Sequence, residues 1–182
     1  MELYNATGGD NWANKTGWLG APGTECNWYG ITCSNQRVSR LELQFNKLTG
    51  TIPGSIGSLS NLISVRLDEN KLTGTIPPEL SSLSNLTWLS LNNNQLSGSI
   101  PTELGSLPRL TSLFLQFNKL TGTIPNSIGS LSNLTYLVLS NNQLTGSIPP
   151  EIGSLSKLTN LWLNRNRLTG TIPPELLSLI HI

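Results

Sequence analysis

Histidine is nearly missing from this 182-residue chain, which holds one, His181, next to the last residue. With no second histidine and only two cysteines, Cys26 and Cys33, the chain lacks the base that a Ser-His-Asp or Cys-His nucleophile needs. The same scarcity leaves too few ligands for zinc, so neither a metal nor a cofactor is expected. Charge is sparse: 12% of residues are charged, and 11 Lys+Arg against 10 Asp+Glu give a formal net charge of +1. Such a chain lacks the basic footprint that phosphate backbones demand, so nucleic acid is not an expected partner. No run of 18 apolar residues occurs, which excludes a membrane-spanning helix and leaves no expected membrane contact within this stretch.

What is abundant is small, polar and periodic: 17 Gly, 11 Pro and 20 Asn. Six segments align without an insertion at a period of 24 residues: 38–61, 62–85, 86–109, 110–133, 134–157 and 158 onward. Each reads LxxLxLxxNxLxGxIPxxLxxLxx, with Val or Ile replacing some Leu. In the second unit the frame is Leu62, Val65, Leu67, Asn70, Leu72, Gly74, Ile76, Pro77, Leu80 and Leu83. The alternating stretch places Val65 and Leu67 on one face of a short strand, and Ser64, Arg66 and Asp68 on the other. One such strand cannot bury its apolar face alone, but stacked coils form a parallel sheet over a continuous core. Six strands at about 4.8 Å give a sheet roughly 25 Å wide.

Asn46, Asn70, Asn94, Asn118, Asn142 and Asn166 recur once per unit inside the apolar frame. An amide there must be hydrogen-bonded, since leaving it unpaired costs about 1–3 kcal/mol. It carries both donor and acceptor, so these six are read as structural ties for backbone that turns away from the strand. Gly50, Gly74, Gly98, Gly122, Gly146 and Gly170 mark bends or close approaches between coils. Pro53, Pro77, Pro101, Pro125, Pro149 and Pro173 fix the backbone ahead of a short helical turn.

This pattern resembles the leucine-rich repeat, in the plant-type subclass marked by LxGxIP, over roughly Cys26 to Leu176. The resemblance implies an α/β fold: a right-handed, curved solenoid with a parallel concave β-sheet, short 3-10 or helical turns on the convex side, and an N-terminal cap. The segment 1–37 lacks the repeat, is rich in aromatics (Tyr4, Trp12, Trp18, Trp28, Tyr29), and resembles the amino-terminal cap of extracellular members. Trp12 or Trp18 could bind a partner, but cap aromatics are expected to be core. Cys26 and Cys33, with Trp28 and Gly30 between them, match that family's paired cysteines. One disulfide is implied, and with it an oxidising, extracellular compartment; the alternative is two reduced, buried thiols. The expected organisation is a cap at 1–37, six repeats at 38–176, and a truncated end at 177–182. LSLIHI in that end reads like translated sequencing-adapter DNA, and the natural start is expected upstream of Met1.

Two surfaces recur in register. On the sheet face the outward positions form ranks: Arg40, Ser64, Trp88, Ser112, Tyr136, Asn160; Glu42, Arg66, Ser90, Phe114, Val138, Trp162; and Gln44, Asp68, Asn92, Gln116, Ser140, Asn164. A flanking rank holds Phe45, Glu69, Asn93, Phe117, Asn141 and Arg165. These residues vary while the frame does not, and Trp88, Phe114, Tyr136 and Trp162 have no evident fold reason to face solvent. Exposed aromatics beside polar groups suit an interface. The candidate ligand-binding set is Arg40, Glu42, Arg66, Asp68, Trp88, Phe114, Tyr136, Trp162 and Asn164, with the early charges free to pair internally instead. The resemblance extends to receptor-kinase ectodomains and polygalacturonase-inhibitor-like proteins. It implies a monomeric, secreted or cell-surface module that binds a protein, peptide or glycan.

The second surface follows the ladder asparagines: Thr49/Thr51, Thr73/Thr75, Ser97/Ser99, Thr121/Thr123, Thr145/Ser147 and Thr169/Thr171. Hydroxyls two residues apart would form a grid of about 7 Å by 4.8 Å. Flat arrays of this kind resemble ice-binding surfaces, and that is the alternative function. Catalysis is not expected: Glu79, Glu103, Glu151 and Glu175 recur where an acid favours a helix start. Four N-x-S/T sequons begin at Asn5, Asn14, Asn85 and Asn133, the last two arising from the repeat itself.

Overall fold

The structure, a computed structural model, describes residues 2–179. The end of the expected truncated tail, His181 included, lies outside the described residues. The alternation of apolar and polar residues produces one short strand per coil. The strands are β1 (Ile31–Ser34), β2 (Arg37–Glu42), β3 (Ser64–Arg66), β4 (Trp88–Ser90), β5 (Ser97–Gly98), β6 (Ser112–Phe114), β7 (Lys119–Leu120), β8 (Tyr136–Val138) and β9 (Asn160–Trp162). The main sheet runs β1-β2-β3-β4-β6-β8-β9. From β2 onward every pairing is parallel at the repeat period: Arg40 faces Ser64, Ser64 faces Trp88, and Trp88 faces Ser112. β5 and β7 pair in a separate two-stranded parallel sheet, and the main sheet holds one strand more than the six repeats require. β1 comes from the cap, carries Cys33, and pairs antiparallel with β2. The cap therefore closes the exposed edge of the first coil with main-chain hydrogen bonds.

Inside each coil the frame is dry. Leu62, Val65, Leu67, Leu72, Ile76, Leu80 and Leu83 of the second coil are all buried, and their counterparts join one continuous core. Burying each such side chain contributes about 1.5–3 kcal/mol. The expected short turns are 3-10 and follow the ladder prolines directly, at Gly54–Ser58, Pro78–Ser82, Thr102–Ser106, Asn126–Ser130, Pro150–Ser154 and Pro174–Leu179. Pro53, Pro77, Pro101, Pro125 and Pro149 each hold the extended position just ahead of the turn. Residues 177–179, expected to lie in the foreign end, continue the last of these turns.

The ladder asparagines stitch coil to coil. Asn94 Nδ2 donates to Leu67 O of the preceding coil at 2.9 Å and to Leu91 O of its own at 3.1 Å. Its Oδ1 accepts Leu72 N–H at 2.9 Å. Asn70, Asn118, Asn142 and Asn166 repeat the pattern. Asn46 extends it into the cap: its Nδ2 donates to Asn14 O at 2.9 Å, and its Oδ1 accepts Asn14 N–H at 2.6 Å.

Of the cap aromatics Tyr4, Trp12 and Trp28 are buried, Trp18 is half-buried against the core and Tyr29 is exposed. Tyr4, Trp12, Trp18 and Trp28 form a chain of ring contacts with centroids 4.7 to 6.2 Å apart. Each indole N–H is satisfied within the cap: Trp12 by Thr7 O at 2.9 Å, Trp18 by Tyr29 O at 2.9 Å, and Trp28 by Thr24 Oγ1 at 3.1 Å. Cys26 and Cys33 are joined by a disulfide, with Cα atoms 5.4 Å apart.

Candidate functional site

In each coil the residues between the buried frame positions project onto the concave sheet face. Their exposure is uneven. Trp88 and Phe114 are half-buried, Tyr136 is 40% exposed and Trp162 is 55% exposed on the edge strand β9. Between them Ser64, Ser90, Ser112, Ser140 and Val138 are buried. The register explains the alternation, because Trp88 stands between Ser64 and Ser112, and Phe114 between Ser90 and Val138. Large rings lie over small neighbours on adjacent strands. Trp88 and Phe114 thus also shield the small residues beside them, which gives these rings a part in packing the sheet face. They also touch one another: Trp88 and Phe114 centroids are 4.9 Å apart, Phe114 and Tyr136 6.1 Å, so an aromatic row crosses β4, β6 and β8.

The charged half occupies β2, β3 and the residues just after them. Arg40 is exposed and Glu42 half-buried. Asp68, a candidate ligand contact whose charge was also free to pair internally, is only 6% exposed, and Arg66 Nε lies 3.7 Å from its Oδ1. That separation is an ion pair without a hydrogen bond. Neither atom has another partner, nor do Gln44 Oε1, Trp88 Nε1 and Gln116 Oε1. Among the described residues, six buried side-chain polar atoms lack a hydrogen-bond partner, and these five all belong to outward positions of the sheet face. Asn164 is exposed beyond β9.

The sequence reading passed over Phe45 and Phe117, placed in the flanking rank but not chosen. They are 69% and 49% exposed at the rim of the sheet. Both hold a left-handed backbone, φ 55° and 57°, as do Glu69, Asn93, Asn141 and Arg165 at the same position. The available signal was the heptapeptide QFNKLTG, which occurs twice, at 44–50 and 116–122.

The Thr/Ser surface differs from the flat grid expected. Flank pairing is offset by 22 residues rather than 24: Thr51 pairs with Thr73, Ser97 with Lys119 and Thr123 with Thr145. Successive hydroxyl pairs are therefore sheared along the chain. The hydroxyls of Thr73 and Thr145 donate to Gly50 O and Gly122 O at 3.0 and 3.2 Å. The γ-methyls of Thr51, Thr75 and Thr123 sit over Gly74, Gly98 and Gly146, where a Cβ would come within 2.8 to 2.9 Å. Those glycines have φ of 73° to 75°, so they serve as both bend and close approach. Thr49, Thr121, Thr169 and Thr171 are exposed along the same flank. All of these threonines are exposed, but the Thr73 and Thr145 hydroxyls and the Thr51, Thr75 and Thr123 methyls also take part in stacking the coils.

Among the described residues no group of three His, Cys, Asp or Glu side chains could hold a metal ion, and no helix is long and apolar enough to cross a membrane. Glu79 and Glu103 lie in the first turns of 3-10 segments, away from the sheet face. The sequon amides of Asn85 and Asn133 bond Ser60 O and Pro108 O of the preceding coils at 3.0 and 2.8 Å.

A family model described as leucine rich repeat matches residues 36–96 and 101–168. A probable LRR receptor-like serine/threonine-protein kinase of Arabidopsis thaliana is 52% identical over 46 residues, 24% of this chain and 5% of the relative. Among solved structures, the LRR ectodomain of the Arabidopsis thaliana membrane receptor kinase GASSHO1/SCHENGEN3, in complex with CASPARIAN STRIP INTEGRITY FACTOR 2, is 44% identical with a TM-score of 0.83. That match covers 84% of this chain and 19% of the other. The Arabidopsis receptor kinase HAESA, in complex with the peptide hormone IDA and the co-receptor SERK1, is 33% identical with a TM-score of 0.69, covering 86% of this chain and 31% of the other. The chain thus spans a small part of the relatives it matches.

Proposed function

Because this chain belongs to the leucine-rich-repeat family, we propose that its concave sheet face is a recognition surface for a peptide. The chain is an extracellular module: it resembles cell-surface receptor ectodomains, and its bonded Cys26–Cys33 pair suits an oxidising compartment. HAESA, its structural neighbour, was solved with a peptide hormone and a co-receptor. By that likeness, this chain takes part in extracellular peptide perception as a receptor-like, non-catalytic binding unit.

The observation that carries the reading is the aromatic row. Trp88, Phe114 and Tyr136 form a connected apolar strip across three parallel strands, Trp162 continues the face, and uncharged polar residues such as Asn92, Asn160 and Asn164 border it. Large, rigid rings among polar neighbours are what binding hot spots are made of. Ice binding has no such support, because the Thr pairs are sheared by the 22-residue pairing rather than set in a flat grid, and the matched proteins are receptor ectodomains.

The test is selection of a displayed random-peptide library on the intact chain and on the triple variant Trp88→Ala/Tyr136→Ala/Trp162→Ala. The intact chain should enrich a peptide family rich in apolar residues, and the variant should lose it while its circular dichroism keeps the original form and its cooperative melt is lowered only by the loss of half-buried Trp88. Equal enrichment on both proteins would overturn the assignment to this face.

A further inference from the structure

The Arg66–Asp68 pair is an ion pair held open. Asp68 is more than nine-tenths buried, yet its Oδ1 accepts no hydrogen bond, and Arg66 Nε, 3.7 Å away, donates none. A buried charge pair without good hydrogen bonds repays its desolvation poorly. Gln44 stands beside Asp68 on the neighbouring coil, tied by the Phe45 N–H to Asp68 O bond at 3.2 Å, and its Oε1 is also without a partner. Adjacent strands place such side chains about 4.8 Å apart. The concave face therefore gathers, at one spot, an anionic acceptor, a cationic donor and an amide acceptor, each with an atom that makes no hydrogen bond.

Three ligand chemistries can be compared at this spot. An added cation would answer Asp68 but leave Arg66 unpaired beside a like charge. An added carboxylate would answer Arg66 but face the Asp68 and Gln44 oxygens. A carboxamide carries an N–H and a C=O side by side, and it answers both members of the pair at no cost in charge. Nearby, Glu42 and Glu69 outnumber Arg40, which weighs further against an added carboxylate.

We propose that Arg66, Asp68 and Gln44 form a carboxamide subsite, in which Asp68 and Gln44 accept the ligand N–H groups and Arg66 donates to its C=O. The proposal rests on the peptide reading of this face and assigns the end of the peptide nearest the cap. The carboxamide belongs either to an Asn or Gln side chain or to the peptide main chain.

Selection of displayed random peptides on the intact chain is expected to enrich an apolar segment for the aromatic row, with Asn or Gln at a constant distance from it if the side chain is the source. In the enriched peptide, made synthetically, changing that Asn or Gln to Leu should weaken binding to the intact chain about tenfold by calorimetry. If the main chain is the source, no such residue is enriched, and N-methylation at one position gives the loss instead. The double variant Arg66→Met/Asp68→Leu replaces the pair with apolar groups, an exchange that buried ion pairs commonly tolerate. It should bind the original and the altered peptide equally well. Enrichment of charged residues at that position, or a tenfold loss that persists in the double variant, would overturn the subsite while leaving the peptide reading intact. Failure of the intact chain to enrich any peptide would overturn both. The peptide substitutions need no altered protein, so the outcome does not hang on the variant folding.

Discussion

The cap and the sheet face use the same side chains in opposite ways. In the cap, Trp12, Trp18 and Trp28 pack ring against ring, and every indole N–H finds an acceptor within the cap. On the sheet face, Trp88 also packs against a ring, yet its Nε1 is buried without an acceptor, and Trp162 is more than half exposed. A donor satisfied inside belongs to the fold, whereas a desolvated donor without a partner costs about 1–3 kcal/mol that an outside acceptor can recover. Composition does not separate the two kinds of tryptophan; hydrogen-bond accounting does.

Truncating one ring on each side of that contrast gives the largest expected effect. Trp12→Ala removes a buried indole and one of the two hydrogen bonds to Thr7 O, so it should cost about 3–5 kcal/mol and lower the melting temperature by several degrees. Trp162→Ala removes an exposed ring and should change stability by less than about 1 kcal/mol. Denaturant melts of both variants decide the matter. Comparable losses would mean that the sheet-face ring is structural and would erase the distinction.

The two regions meet at Asn46, and breaking that seam is the next largest effect. Asn46 is fully buried and exchanges two hydrogen bonds with Asn14. Asn46→Ala leaves the Asn14 N–H and C=O without partners, a loss of about 2–3 kcal/mol. Because the cap would then hold the repeats through β1, its apolar contacts and the main-chain bonds of Ala13, Thr49 and Thr51, hydrogen exchange should quicken first in 2–37 and later in the coils. Uniform acceleration along the chain would show that the seam carries no special weight.

How much of this was legible in the sequence depends on what a period can encode. A strict repeat of 24 fixes which residues stack between coils. The Asn ladder, the prolines ahead of each 3-10 turn and the buried frame therefore follow from the text of one unit. The repeat does not fix the pairing in the flank beyond the ladder Asn, so the 22-residue pairing of Thr51 with Thr73 and the resulting shear of the hydroxyl grid lay beyond it. Half-burial of Trp88 and Phe114 depends on what faces each ring across two strands, and it emerged only when Ser64, Ser90 and Ser112 were seen beneath them. Phe45 and Phe117 escaped notice for a different reason. Phenylalanine is a poor occupant of the left-handed region, and nothing in its side chain announces that conformation. The candidate site is where local rules and global fold disagree: two rim phenylalanines in a strained backbone and an ion pair without its hydrogen bonds.

The smallest expected effect tests the cap half of the comparison by pH. Tyr4 packs against Trp12 and donates its hydroxyl to Asp10 Oδ1 at 2.9 Å. Burial first, then that hydrogen bond and the Asp10 charge, raise the Tyr4 phenol above its ordinary value. A phenol that holds its proton more tightly in the folded chain than in the unfolded one stabilises the fold only while both states are protonated. As pH rises past about 10 the unfolded chain releases its proton first, and this contribution is lost progressively from there upward. Tyr4→Phe should therefore flatten the alkaline fall in stability relative to the unaltered chain, with the two curves running parallel below about pH 9. Equilibrium unfolding between neutral pH and pH 11 measures the difference. Curves that stay parallel throughout would mean that the Tyr4 hydroxyl is open to water, and that the cap is looser at its first helix than its indole hydrogen bonds imply.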